Sequence, residues 1–434
     1  MEIKIEKMAF AGAGIGNLPN GKKIFIKKVV PGDIVEIEIT DEKSDFAFGL
    51  AEKVIESSPD RIKPKCEYFY QCGGCDHQNI SYKNQLKIKQ KLVEESLQRQ
   101  RIENQVLPII PASNKEFYYR NSIRFMFFLD KKNQLHTAHN QNSNNLKLVV
   151  VDKCLLQSEK SNLILSKLLN CINKNVANKE TFWQLKIREG KQTGDVMVEI
   201  ITPNNDLPGE EEIVKTLKTI NGIKSIYHTI TPGKSLLNLR RRLIFGFPVI
   251  YEKIGSFTFQ ISPESFFQTN SFGVKNLYDT IKQIANIKMG KNLLDLYCGT
   301  GSIGIYLSTL AKKVVGVDVV PEAIRDAKDN AKINKIQNAE FICLDANKLD
   351  IFKYKNFVII VDPPRAGLKK ELIPEIAKLD FKRLIYISCN PATFARDLKE
   401  FEKRGVIAKK IQPIDMFPQT HHIECVCLLE KANN

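Results

Sequence analysis

No apolar run in the 434-residue sequence approaches the length that crosses a bilayer. The first residues, MEIKIEKM, alternate charged with apolar side chains and lack the apolar core of a signal peptide. These two absences argue against a membrane or secreted protein and make the cytoplasm the expected location. A bias toward disorder is also missing: 43% of residues are hydrophobic and 26% charged, so the chain has the material for two or three folded units, each with its own core. Acidic residues are scarce against basic ones, 49 to 65, leaving a formal charge of +16. That surplus points to a polyanionic partner, most simply nucleic acid, although it says nothing about fold. Ten cysteines in a reducing compartment suggest metal ligation or catalysis more than disulfides.

Residues 1–57 read as short strands separated by Gly and by Pro31-Gly32, a pattern that predicts a small antiparallel barrel. After a Pro-containing segment come Cys66, Cys72 and Cys75 in CEYFYQCGGCDHQ. Three thiolates this close can converge on one soft metal centre, with Gly73-Gly74 letting the backbone wrap it, and Cys154 is the next cysteine along the chain. Thiolate ligation permits zinc or a [4Fe–4S] cluster, and the spacing alone does not choose. Residues 81–102 predict a helix with Lys83, Lys87 and Lys91 on one side, a stripe that suits phosphates or plain solvent equally. FYYRNSIRFMFF, residues 117–128, interleaves Arg120 and Arg124 with aromatics; a core strand with two outward charges is the expectation there. The rest of residues 58–253 reads as an irregular, basic α+β unit.

From residue 254 to 434 strands and helices alternate, the signature of a doubly wound parallel sheet. Gly299-Thr300-Gly301 follows a strand at the start of a helix, where glycine lets the backbone approach a ligand. The next strand ends in Asp318, placed to accept ribose hydroxyls of NAD, FAD or S-adenosylmethionine alike. Later strands lead to Asp345, to Asp362-Pro363-Pro364-Arg365 and to Cys389, and a last one carries Glu424 at its entrance. Asn390 and Pro391 suit the N-cap and first turn of a helix, which puts Cys389 at a helix N-terminus, where the dipole favours a thiolate.

Together these motifs resemble the RNA uracil-C5 (5-methyluridine) methyltransferases, nearly end to end. SPESFFQTN, DLYCGTGSIG, DPPRAGL, YISCNPATFARDL and HHIECVCLLEK match that family's motifs in order. GAGIG with GKKIFIKKVVPGDIVEIEI resembles the TRAM domain, an RNA-binding barrel of the oligonucleotide-binding type. CGGCDHQNISYKNQLKIKQ resembles the iron–sulfur branch that acts on 23S ribosomal RNA. The resemblance implies a TRAM barrel (1–57), a central RNA-binding α+β domain with a [4Fe–4S] site held by Cys66, Cys72, Cys75 and Cys154 (58–253), and a Rossmann-like α/β methyltransferase domain (254–434). It implies Cys389 as nucleophile and Glu424 as base. It also implies that Gln268, Tyr297, Gly299, Ser302, Asp318, Asp345 and Asp362 contact S-adenosylmethionine or the target uracil. Ser302 stands where relatives often have Asn. His422, next to Glu424, is a rival base.

The implied partner is a uridine in a loop or single strand of 23S rRNA, bound by a monomer. The tRNA-directed branch lacks the cluster and the barrel, so their presence argues against a tRNA substrate. The rivals are a non-catalytic RNA-binding assembly factor and, more remotely, a dinucleotide-dependent oxidoreductase.

Overall fold

The computed structural model describes residues 1–112, 115–142, 145–234, 239–287 and 290–432. Apolar alternation in residues 1–56 folds into a six-stranded curled sheet around Ile3, Ile24, Ile26, Val35 and Ala47. Gly16 is required by the curl: a Cβ there would stand 2.9 Å from the Lys4 carbonyl oxygen, where one edge of the sheet turns back on the other. The expectation of a purely antiparallel barrel needs one correction. The strands Lys23–Lys27 and Phe46–Glu56 pair in parallel, because Ile34–Glu42 intervenes between them in sequence and takes the antiparallel place beside Phe46–Glu56.

The segment that read as irregular contains a seven-stranded mixed sheet, from Arg240–Gly246 at one edge to Asn145–Val150 at the other. The helices Glu159–Asn175 and Glu210–Lys218 contribute Ile164, Leu168, Ile213 and Leu217 to its core. Buried Lys186 and Glu199 interrupt the apolar pattern of two of these strands, so the sequence hides them. In the strand Ser122–Leu129, Ile123, Phe125 and Phe127 point into the core and Arg124 outward, as expected; the second expected outward charge, Arg120, instead precedes the strand and is half-buried.

The third sheet positions the candidate site. Its strands are Lys291–Leu296 (β1), Ala311–Asp318 (β2), Ala339–Cys343 (β3), Val358–Val361 (β4), Arg383–Ser388 (β5), Val406–Ile414 (β6) and Glu424–Lys431 (β7). They are ordered β3–β2–β1–β4–β5–β7–β6, with β7 antiparallel to both neighbours. β1 to β5 are parallel, so their carboxyl ends share one edge, where an open α/β sheet holds its ligands. The helix Tyr82–Arg99 packs on this sheet rather than the central one: Val93 and Leu97 join the core of Leu296, Tyr386 and Phe394. Its Lys83, Lys87 and Lys91 are exposed.

The cysteine loop of residues 66–79 lies where the three sheets meet. Lys28 of the barrel donates to the Cys72 carbonyl at 3.1 Å, Gly73 N–H to Asn140 O of the central sheet at 3.0 Å, and Asp76 N–H to Gln419 O before β7 at 3.0 Å. Among the described residues no helix is long and apolar enough to cross a membrane.

Candidate active site

β5 ends at Ser388 and the helix Pro391–Glu402 begins three residues later. Asn390 caps it, its side chain accepting from Ala392 N–H at 3.1 Å, with Pro391 in the first turn as the sequence indicates. Cys389 sits in that turn. The β5–β7 register pairs Ser388 with Cys425, so the next step outward sets Cys389 across from Glu424 at the mouth of the ladder. Asp362 follows β4 directly, and Arg365 stands three residues on. The loop bearing them is strapped to the helix after Cys389: Asn390 and Thr393 each donate to the Arg365 carbonyl at 3.1 Å, and Asp397 accepts from Leu368 N–H at 2.8 Å and from the Tyr386 hydroxyl at 2.7 Å.

The electrostatics correct one expectation. Burial pushes the Cys389 thiol up to about 11, reinforced by Glu424 and Asp362; Arg365 pulls the other way and does not win. The helix dipole therefore does not deliver a resting thiolate. Burial likewise raises the Glu424 carboxyl well above its ordinary range and Asp362 to about 7, so the pocket strongly disfavours added negative charge. The rival base, His422, is lowered to about 3 by burial, by His421 and by Arg365, whose guanidinium lies 3.1 Å from its Nε2.

Around β1 and β2 the geometry suits a nucleoside-bearing ligand. Tyr297, half-buried, holds φ +63°, a left-handed conformation rare for a bulky residue and a mark of backbone fixed for a purpose. Gly299 also has positive φ, and a Cβ there would meet nothing within 4 Å, leaving its approach open. Asp318 accepts from Gly299 N–H and Val320 N–H, both at 2.9 Å, which fixes its carboxylate beside that opening. Asp345, after β3, is held low at about 2 by Asn347, whose backbone and side-chain amides donate to it, and by Lys369 at 3.0 Å. Ser302 shares a hydrogen bond of 2.6 Å with Tyr278. Gln268 lies in a loop pinned to the central sheet, its carbonyl accepting from Asn121 Nδ2 at 2.8 Å.

The structure thus brings Cys389, Glu424 and Asp362 together, and Tyr297, Gly299, Asp318 and Asp345 along the same sheet edge. Two residues escaped the sequence reading. Arg365 is the cation facing both Cys389 and Glu424, and DPPR was its visible signal. Asp295 in β1 is buried and raised to about 8 by burial and by Asp362, with one carboxylate oxygen on Gly304 N–H and the other without a partner among the described residues. Its only sequence mark is a carboxylate inside an apolar strand.

Cys66, Cys72, Cys75 and Cys154 line one cavity of about 280 Å³. Burial raises each thiol, Cys75 to about 12. Among the described residues no three His, Cys, Asp or Glu side chains converge as tightly as a single ion requires.

The chain matches the family model described as tRNA (Uracil-5-)-methyltransferase over residues 81–432 and that of the TRAM domain over residues 1–51. A Caldanaerobacter subterraneus protein named as an uncharacterized RNA methyltransferase is 34% identical over 99% of this chain and 98% of its own length. One of that description from Halalkalibacterium halodurans is 34% identical over 100% and 97%. The crystal structure of Pyrococcus abyssi tRNA (uracil-54, C5)-methyltransferase in complex with S-adenosyl-L-homocysteine superposes with a TM-score of 0.79 at 29% identity, covering 99% of this chain and 100% of that one.

Proposed function

This chain belongs to the tRNA (uracil-5-)-methyltransferase family, and from that premise we propose that it uses S-adenosylmethionine to methylate carbon 5 of a uridine in 23S ribosomal RNA. The observation that carries the chemistry is the register that sets Cys389 across from Glu424, with Asp362 and Arg365 facing both.

Carbon 5 of uracil is too weak a nucleophile to take a methyl group unaided. The Cys389 thiol gives up its proton to water and the sulfur attacks carbon 6, making an enolate whose carbon 5 can displace the methyl group that S-adenosylmethionine supplies. Glu424, protonated at rest, must first lose its proton to water; its carboxylate then takes the proton from carbon 5, and the electron pair of that bond restores the ring double bond as the sulfur leaves. A dry carboxylate with high proton affinity suits that step; His422, lowered to about 3, is too weak a base. Arg365 is the cation available to favour the thiolate. Asp362 and Gln268 hold the uracil edge, Tyr297, Gly299 and Asp318 hold the cofactor, and Asp345 faces its adenine. Ser302, tied to Tyr278, shapes the glycine loop.

A tRNA substrate is the second reading. The Pyrococcus abyssi enzyme, titled for tRNA uracil-54, aligns over 99% of this chain, so full-length architecture does not separate the two RNA classes and the argument drawn from it against tRNA falls. What favours the ribosomal branch is the resemblance of residues 72–90, CGGCDHQNISYKNQLKIKQ, to its cysteine segment. The four cysteines line one cavity, and by that resemblance Cys66, Cys72, Cys75 and Cys154 would hold a [4Fe–4S] cluster at the junction of the three sheets. Iron and acid-labile sulfide in anaerobically isolated protein are expected, and zinc alone would reject the cluster.

Incubation with labelled S-adenosylmethionine and deproteinised ribosomal or transfer RNA, followed by mapping of 5-methyluridine, decides the substrate. Glu424→Gln should transfer the methyl group without releasing the RNA, leaving a protein–RNA adduct on a denaturing gel. Ordinary turnover by that variant would exclude Glu424 as the base.

A further inference from the structure

A second cavity, about 400 Å³, opens between the central sheet and the loop of residues 261–269. Arg120, Arg124, Lys186, Arg188 and Arg241 line it. Carboxylates answer only part of that charge. Glu199 lies 3.1 Å from Lys186 and 2.9 Å from Arg241, and Glu264 is 2.8 Å from the same Arg241. Glu189, the remaining acid in the wall, faces Lys191 at 2.7 Å. Arg188 donates to the loop carbonyls of Ser262 at 2.9 Å and Ser265 at 2.6 Å, and its Nε is buried without an acceptor among the described residues. Arg120, which also lines the four-cysteine cavity beside Cys154, has its Nε buried and unpartnered among the described residues, and Arg124 is exposed. Among the described residues none of these three arginines has a carboxylate within ion-pair distance.

Guanidinium N–H groups kept from water without acceptors cost free energy that an incoming anion would recover, and the planar fork matches the oxygens of a phosphate. We propose that this cavity is a phosphodiester subsite that takes a backbone phosphate of the RNA strand next to the nucleotide held at Cys389. The assignment rests on the reading of the chain as an RNA uracil methyltransferase. Its location follows from the loop: Phe267 and Thr269 line the cavity and flank Gln268, the residue assigned to the uracil edge, and successive Cα atoms are only about 3.8 Å apart. A phosphate seated here fixes the register of the strand and so decides which base is delivered to the sulfur. Arg124 of FYYRNSIRFMFF, beside Lys186 and Arg188, thereby acquires a role that neither the cofactor site nor the catalytic pair gives it.

The test uses the full-length protein with Arg124→Ala and Arg124→Lys. Arg124 is exposed, so both variants should keep the wild-type melting temperature. Binding of the RNA that the wild type methylates is measured by fluorescence anisotropy across a salt series. Arg124→Ala should bind roughly tenfold more weakly, with a log–log salt slope shallower by about 0.7, as for one single-strand phosphate contact; Arg124→Lys should keep the slope. A scan replacing single phosphates by uncharged methylphosphonates should find one position beside the target uridine that weakens the wild type and does nothing further to Arg124→Ala. Wild-type affinity and slope in Arg124→Ala would overturn the proposal. So would a scan without a sensitive position in which inorganic phosphate raises the melting temperature of the wild type but not of Arg124→Ala, since the site would then take free phosphate. Absence of methyl transfer by the wild type to any RNA would sink the functional reading instead, and binding to a ribosomal RNA fragment would still judge the cavity.

Discussion

Cys389 occupies the position where a helix terminus would lower a thiol, yet its proton is held more tightly than in water. The dipole acts over one turn and is worth a fraction of a pK unit to about one, whereas burial and two facing carboxylates act together in the opposite direction. With the thiol at about 11, only roughly one molecule in ten thousand carries a thiolate at pH 7. In the proposed reaction the nucleophile is therefore stored as a thiol that must lose its proton before it attacks. Alkylation of Cys389 by iodoacetamide, followed by peptide mass spectrometry on the free protein, should accelerate about tenfold per pH unit from 7 to 10; a rate already level by pH 8 would contradict the stored thiol. The sequence reveals the cap and the proline because these are local. It cannot reveal the charges, since Asp362 and Arg365 arrive together from one other segment and Glu424 from another, through the strand order.

At the scale of elements, helix Tyr82–Arg99 is the least legible contribution to the site. Its three exposed lysines repeat every four residues, and Lys89, two residues from the nearest of them, lies about 200° around the helix on the opposite face. There it is fully buried, 2.7 Å from Asp415 and 2.9 Å from the Phe417 carbonyl, while Tyr82 donates to the same carboxylate at 2.9 Å. Gln85 meets Gln419 at 3.0 Å, and Asp76 meets His421 at 2.6 Å. These bonds fix the segment leading into β7, and with it the position of Glu424. Lys89→Ala leaves Asp415 buried without its cation and should destabilise the protein by about 3–5 kcal/mol in urea unfolding; a loss below about 1 kcal/mol would show that the pair does not hold the segment. The parallel sheet is readable because each strand and its helix are neighbours in sequence. The insertion of β7 between β5 and β6 is not, because antiparallel pairing of distant segments leaves no periodic trace.

Over the whole molecule, a curled barrel, a basic central sheet and a doubly wound sheet are joined at one cysteine loop, and the carboxyl edge of the last sheet holds the reactive groups. The net charge of +16 and the TRAM match belong to the task of holding a polyanion, while the proposed chemistry depends on a single sulfur. RNA carrying 5-fluorouridine at the target position tests that dependence most directly, because fluorine cannot leave carbon 5 as a cation and the adduct cannot resolve. With S-adenosylmethionine present, the wild type should become covalently joined to this RNA on a denaturing gel, and Cys389→Ala should form no such species. A covalent complex that persists in Cys389→Ala would contradict the account.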